Sequence, residues 1–398
     1  MVPAIRKQFN ESFTDAGYQQ YLAVLNEKYK GAIEFRVAET PVFIDKIFKE
    51  KLLSACESIV DFIVQPNFIE LTNHAIPSNV KVPNENKHTH FIAFDFGICE
   101  NELGELEPQL IEMQGFPTLF AYQIWHDLTF RKQYAIPENF TCYLNGFTQE
   151  TYTALLNEII VGNYSPEEVI LLELFPHEQK TKVDFYFTAE YTGISIVCLT
   201  ELIKEGNDLF YIKDKRKIQI KRIYNRIIFD DLQQQKKEIQ AIGQILFEDL
   251  NVEWVPHPNW FYRISKYTLP FIQHPYVPTT WFLNELKQVP PDLENYVLKP
   301  LFSFAGQGVV IDVTPKDIES VQDPENWILQ KKVKYAAVID TPNEPAKAEL
   351  RIFYFWKEGD ARPIATNNLA RLSKGKMIGV RYNQDKDWVG GSLAYFEK

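Results

Sequence analysis

Residues 296–312 read Tyr296-Val-Leu-Lys-Pro-Leu-Phe-Ser-Phe-Ala-Gly-Gln-Gly-Val-Val-Ile-Asp312. A strand-like run carries Lys299. A small-residue loop from Ser303 to Gly308 follows, with Gly306 and Gly308 around Gln307, and then a second apolar run, Val309–Val313. Glycine has no Cβ, so its backbone N–H can come close to a phosphate oxygen. A lysine at the strand end can add charge to the same group. No G-K-[ST] ending is present, which excludes a Walker loop. The segment after Gly308 reads as a strand and not a helix, which excludes a dinucleotide fingerprint. Taken alone, the stretch also reads as a plain hairpin with a surface lysine.

Working outward, Trp327-Ile-Leu-Gln-Lys-Lys-Val333 is a strand running into a polar end. Gln330, Lys331, Lys332 and Val333 there can face an adenine through their backbone. Glu349 and Arg351 share one face of the next strand, because side chains alternate along a strand. An inward Glu349 needs a cation or a hydroxyl beside it. Arg351 can stabilise the oxygens of a transferring phosphoryl group. Arg371 and Arg381 lie in similar β surroundings. Upstream, Arg263-Ile-Ser-Lys266 precedes a proline-punctuated stretch from His274 to Phe282.

The chain has 398 residues, so two or three domains are expected. Hydrophobic residues at 45% and charged residues at 24% are ordinary globular composition, which excludes a disordered chain, a collagen or a simple coiled coil. The net charge of −11 argues against nucleic acid as a partner and leaves room only for a local basic site. Cys56, Cys99, Cys142 and Cys198 are scattered without zinc spacing and read as reduced thiols. There is no apolar leader, and no stretch approaches the roughly 18 apolar residues of a span, so a cytoplasmic protein without membrane contact is expected.

Turn clusters at Gly162–Pro166 and Pro256–Pro258 divide the chain into 1–163, 164–255 and 256–398. Helical periodicity covers residues 15–65, Thr118–Lys132 and Gln149–Ile160. His90–Phe96 and Gln109–Glu112 read as strands. Val169–Phe175 and Ile194–Cys198, apolar on both faces, suggest a parallel α/β unit, with a helix then running to Gly206. Ile218–Phe229 is β-rich and Asp230–Leu250 reads as one long amphipathic helix. In the last third, Tyr296–Lys299, Val309–Val313, Trp327–Val333, Glu349–Trp356 and Met377–Arg381 read as strands of an α+β region with hairpins.

The order of these elements resembles the ATP-grasp superfamily, which clamps ATP between two α+β lobes. Lys266, Lys299, Ser303–Gly308, Gln330–Val333 and Arg351 occupy the places of its motifs. The usual terminal E-x-N is missing. Instead, Phe94-Asp-Phe and Leu110-Ile-Glu-Met-Gln-Gly-Phe-Pro-Thr resemble the acidic strands of the permuted branch, of which glutathionylspermidine synthase is the type member. Ile223-Tyr-Asn-Arg resembles a strand of the same branch. The resemblance implies a mixed α+β and α/β chain: residues 1–163 supply metal-binding strands to a permuted ATP-grasp core, 164–255 form a preceding parallel α/β domain, and 256–398 bind the nucleotide. It implies ATP and Mg²⁺ as cofactors, with Asp95, Glu112 and Gln114 as metal ligands. Glu112 and Gln114, two residues apart, share one strand face. Gln114 stands where the family has Asn, and Ala93 where it has an arginine for which Arg371 or Arg381 can compensate.

The expected activity is an ATP-dependent ligase joining a small-molecule carboxylate to an amine through an acyl phosphate. Lys266 and Lys299 would hold phosphates, and Arg351 with Arg371 would act in catalysis. The alternatives are a small-molecule phosphotransferase and a non-catalytic nucleotide-binding protein. His88 and His90 read as surface or hydrogen-bonded histidines, the seven Lys/Arg of Lys213–Arg226 as a solvated hairpin face, and Cys99 as inert.

Overall fold

The computed structural model describes residues 1–302, 308–375, 378 and 383–398. Ser303, Gly306, Gln307 and Arg381, with most of the expected Met377–Arg381 strand, lie outside them.

The central element is a five-stranded antiparallel sheet in the order Gly390–Ser392, Ile364–Ser373, Lys347–Phe355, Phe91–Glu100, Leu106–Gln114. Its middle pair joins the first quarter of the chain to the last. Asp95 lies opposite Arg351, and Gly97 opposite Glu349. Alternation explains the two faces. Ile92, Phe94, Phe96 and Ile98 pack with Ala348, Leu350, Ile352 and Tyr354 into one core. The helix Lys46–Ile63 covers that face with Phe48, Leu52, Ala55, Cys56, Ile59, Val60 and Ile63, the three-and-four spacing of an apolar helix stripe. Its first turn is capped by Asp45, which accepts from the Phe48 N–H at 2.8 Å.

The opposite face is divided. Phe91, Phe353 and Phe355 close one half against Phe120 and a second, aromatic-rich core. The other half carries Asp95, Glu349, Arg351 and Arg371, and it is this half that opens on a cavity.

Two further sheets flank this face. Four parallel strands, in the order Glu253–Val255, Arg222–Asn225, Val169–Glu173, Ser195–Cys198, form the α/β unit expected from the all-buried Val169–Glu173 run. The helix Lys182–Thr192 makes the crossover and stops at Gly193, which has a left-handed φ of +75°. Three antiparallel strands, Thr280–Phe282, Trp327–Lys331 and Tyr296–Pro300, form the third sheet.

Several expectations are corrected. Residues 15–65 are not continuously helical: Asp15–Leu25 and Lys46–Ile63 are separated by Gly31, Pro41 and a short strand, Val42–Ile44. Asp230–Leu250 is broken into Phe229–Gln233, Lys237–Gly243 and a 3₁₀ turn, Gln244–Phe247. The break lets Gly243 pack directly on Leu232, where a Cβ would come within 2.5 Å. The Gln240 amide closes the turn by donating to the Gln233 and Gln235 carbonyls, each at 2.7 Å. The expected helix to Gly206 is a 3₁₀ turn followed by the strand Ile203–Glu205. The β-rich Ile218–Phe229 stretch divides between two sheets. Val309–Val313 contributes one bridge, Val310 to Leu298, and no strand. Among the described residues no single helix is long and apolar enough to cross a membrane.

Candidate functional site

Between the charged half of the central sheet and the third sheet lies a cavity of about 1470 Å³. Lys266, Lys299, Gly308, Gln330, Lys331, Lys332 and Val333 line one side, and Glu112, Glu349, Arg351 and Arg371 the other. Thus all the expected site residues inside the described range border one space, apart from Asp95 and Gln114.

Lys299 sits in the strand Tyr296–Pro300, on the same side as Val297, which pairs with Gln330. Its ammonium donates to Gln330 Oε1 at 2.6 Å and to the Ile111 carbonyl at 3.3 Å, tying the third sheet to the central one. Gln330 is held in turn by donating to Thr280 Oγ1 at 3.1 Å. Burial pulls the Lys299 pKa down, with Glu112 and Glu349 opposing it. Lys266 opens a 3₁₀ turn, Lys266–Phe271. Burial pushes its pKa down to about 8, against the pull of Glu112. Gly308 has a φ of +72°, and a Cβ there would meet the Pro300 ring at 3.0 Å, so the backbone return depends on glycine. At the polar strand end, the Lys331 and Lys332 N–H groups are committed to the carbonyls of Thr279 and Asn295.

On the central sheet, cross-strand pairing assembles the acids and guanidiniums. Asp95, 1% exposed, accepts from Arg351 Nε and Nη2, both at 2.5 Å, and from Arg371 Nη2 at 3.0 Å. Burial alone would raise the Asp95 carboxyl, but the Arg351 and Arg371 charges outweigh it and hold it below the usual range. Glu349 accepts from Arg371 and from the Tyr335 hydroxyl, the latter at 2.8 Å. Burial raises its carboxyl in spite of Arg371. Arg351 also donates to Thr118 Oγ1 at 3.2 Å and lies 3.9 Å from Glu112 Oε1. Gly97 is what lets Tyr335 lie over this sheet, since a Cβ would sit 2.7 Å from its ring.

The expected magnesium ligands are neighbours in the register, with Asp95 opposite Glu112 and Ala93 opposite Gln114. As placed, they do not make a cation site. Both Asp95 oxygens are engaged by guanidiniums, Gln114 does not border the cavity, and only Glu112, 45% exposed, is open to it. Among the described residues no group of three His, Cys, Asp or Glu could hold a metal ion.

Tyr335, Thr118, Arg36 and Lys180 also border the cavity and carry no local sequence signal. His88 stacks on Trp356 at 4.3 Å, and buried His90 has its pKa depressed to about 3 by desolvation. Burial pushes the Cys99 thiol up to about 12. The basic run is only partly a solvated face: Arg216 and Lys217 pair with Glu167 and Glu205, while Arg222 and Arg226 are buried.

No protein-family model matches the chain. No curated protein matches it either. Among solved structures, a glutathione synthetase-like effector, GSS30, from Globodera pallida, determined in its apo form, is similar at a TM-score of 0.59. The match covers 96% of each chain at 10% sequence identity. At that identity the likeness is one of fold alone: a mixed α/β chain folded like that neighbour.

Proposed function

We propose that the cavity binds ATP and that the chain is a distant ATP-dependent ligase of the permuted, glutathionylspermidine synthase-like arrangement, joining a small carboxylate to an amine. The observation that carries this reading is the placement of Lys266 and Lys299 across one cavity from Arg351 and Arg371. In this reading the two ammonium groups hold the α and β phosphates. The adenine lies against Gln330–Val333, read by the carbonyls and by Val333, since the Lys331 and Lys332 N–H groups are used within the fold. The γ-phosphoryl group moves to the substrate carboxylate, the amine attacks the acyl phosphate, and phosphate leaves. Arg351 and Arg371 neutralise charge on the moving group. The strands of 1–163 would complete a site whose other wall comes from 256–398, with 164–255 as the preceding domain.

A second reading, a nucleotide-binding protein without catalysis, is favoured by one observation: the Asp95 carboxylate is closed off by two arginines. Two measurements test the pair. Calorimetric titration with ATP should show binding to the wild type that weakens in Lys299→Met. A charge-assisted hydrogen bond of about 1.5–3 kcal/mol corresponds to roughly a ten- to hundredfold loss. An unchanged affinity removes the phosphate assignment. Amine-dependent release of ADP and phosphate with a panel of carboxylates separates ligase from binder.

A further inference from the structure

We propose that the Arg351 guanidinium stands where a divalent cation would, so that this cavity binds polyphosphate without a metal ion. The proposal rests on the ATP-site reading above and sharpens it. Asp95 and Glu112 are cross-strand neighbours, the arrangement in which two carboxylates would share one cation. Here the cation between them is Arg351: it grips Asp95 through two 2.5 Å bonds and stands 3.9 Å from Glu112. A divalent ion placed at these oxygens would meet two guanidiniums at close range and would have to displace one of them from a carboxylate that is 1% exposed.

The charge of the whole cavity points the same way. Of the described residues that border it, eight are Lys or Arg (Arg36, Lys180, Lys266, Lys299, Lys331, Lys332, Arg351, Arg371) and three are acidic (Glu112, Asp312, Glu349). The chain as a whole carries −11. Asp95 behind Arg351 and Arg371, and Glu39 beside Arg36, offset part of this charge, but Lys180, Lys266, Lys299 and Lys331 leave the cavity net positive in an acidic protein. It attracts an anion that keeps its full charge, and metal chelation would remove part of that charge. Arginine suits the task because it stays protonated; the Nε–Nη2 fork of Arg351 is taken by Asp95, so the edge it offers a phosphate is Nη1, which donates to Thr118 Oγ1.

The experiment is calorimetric titration of the intact chain with ATP and with inorganic tripolyphosphate, each in EDTA and in excess Mg²⁺, for the wild type and Glu112→Gln. Glu112 is half exposed, so the substitution leaves the core intact. The expected result is an ATP affinity at least as high in EDTA as in Mg²⁺, strengthened severalfold in Glu112→Gln because a negative charge leaves the cavity. If ATP affinity falls about tenfold or more in EDTA, and Glu112→Gln weakens binding in Mg²⁺, a metal is required and the inference is overturned while the ATP site stands. If tripolyphosphate binds in EDTA and ATP does not, the metal-independent anion site stands and the nucleotide reading falls. Binding of neither ligand overturns both.

Discussion

Replacing Arg351 by Met leaves the Asp95 carboxylate in place and takes away two of its three donors. Asp95 is 1% exposed, so water cannot substitute for them. Removing one partner of a buried ion pair costs about 3–5 kcal/mol, because the remaining charge is left desolvated. Arg371 still offers one N–H at 3.0 Å, which places the expected loss near the lower end, about 3 kcal/mol. That is a large share of a typical native stability of about 5–15 kcal/mol and is readily seen in equilibrium urea unfolding followed by tryptophan fluorescence.

The decisive comparison is with Asp95→Asn in the same background. If the loss comes from a stranded charge, neutralising that charge restores part of it, and the double variant is more stable than Arg351→Met alone. The pH dependence gives a second check. In the wild type the Asp95 carboxyl is held below its unfolded value of about 3.9, so its contribution is complete above that pH and is lost as the pH falls through the folded value. Without Arg351, burial pushes the carboxyl up. The variant then regains stability relative to wild type as acid protonates Asp95, and the gap between the two narrows from pH 7 to pH 4. A double variant no more stable than Arg351→Met, with a constant gap across that range, would refute the ion-lattice argument.

Three other outcomes are expected. ATP should bind more tightly than GTP by about 1–3 kcal/mol, because the guanine carbonyl leaves a hinge acceptor unpaired; competition calorimetry measures it, and equal affinities count against the Gln330–Val333 hinge. Gly97→Ala should destabilise by about 1–3 kcal/mol through overpacking, since its methyl would enter the Tyr335 ring, and urea unfolding reports the loss. Lys266, depressed to about 8 chiefly by burial, is only partly deprotonated at neutral pH and regains charge when phosphate arrives; ATP affinity should therefore fall as the pH rises from 7 to 9, with proton uptake on binding that disappears in Lys266→Met.

What could be read from the chain was what alternation and local chemistry decide. The buried parallel strand Val169–Glu173, the strand over Gln109–Glu112, found within Leu106–Gln114, and the shared face of Glu349 and Arg351 all follow from spacing within one segment. So does the need of an inward Glu349 for a cation or a hydroxyl, and it receives both, from Arg371 and Tyr335. The long helix over Asp230–Leu250 was misread because its apolar periodicity is satisfied equally by two short helices folded on one another at Gly243. Tyr335 gave no local signal. Its place is set by Gly97, 238 positions away by sequence number, which clears the sheet surface for its ring.

The arrangement at Asp95 was beyond reach for a more general reason. A strand's own sequence states which residues share a face, but the neighbour across the ladder is fixed by pairing with a segment 256 residues away. Had the strand Phe91–Glu100 paired one residue out of step, Asp95 would point into the core and Phe94 and Phe96 would point out of it, which burial forbids. The apolar pattern therefore decides the register, and the register decides the chemistry. It sets Asp95 against Arg351 on one side and Glu112 on the other. The same two carboxylates would read as a cation site if the strand facing them carried no arginine. Here it does, and the face becomes one that receives anions.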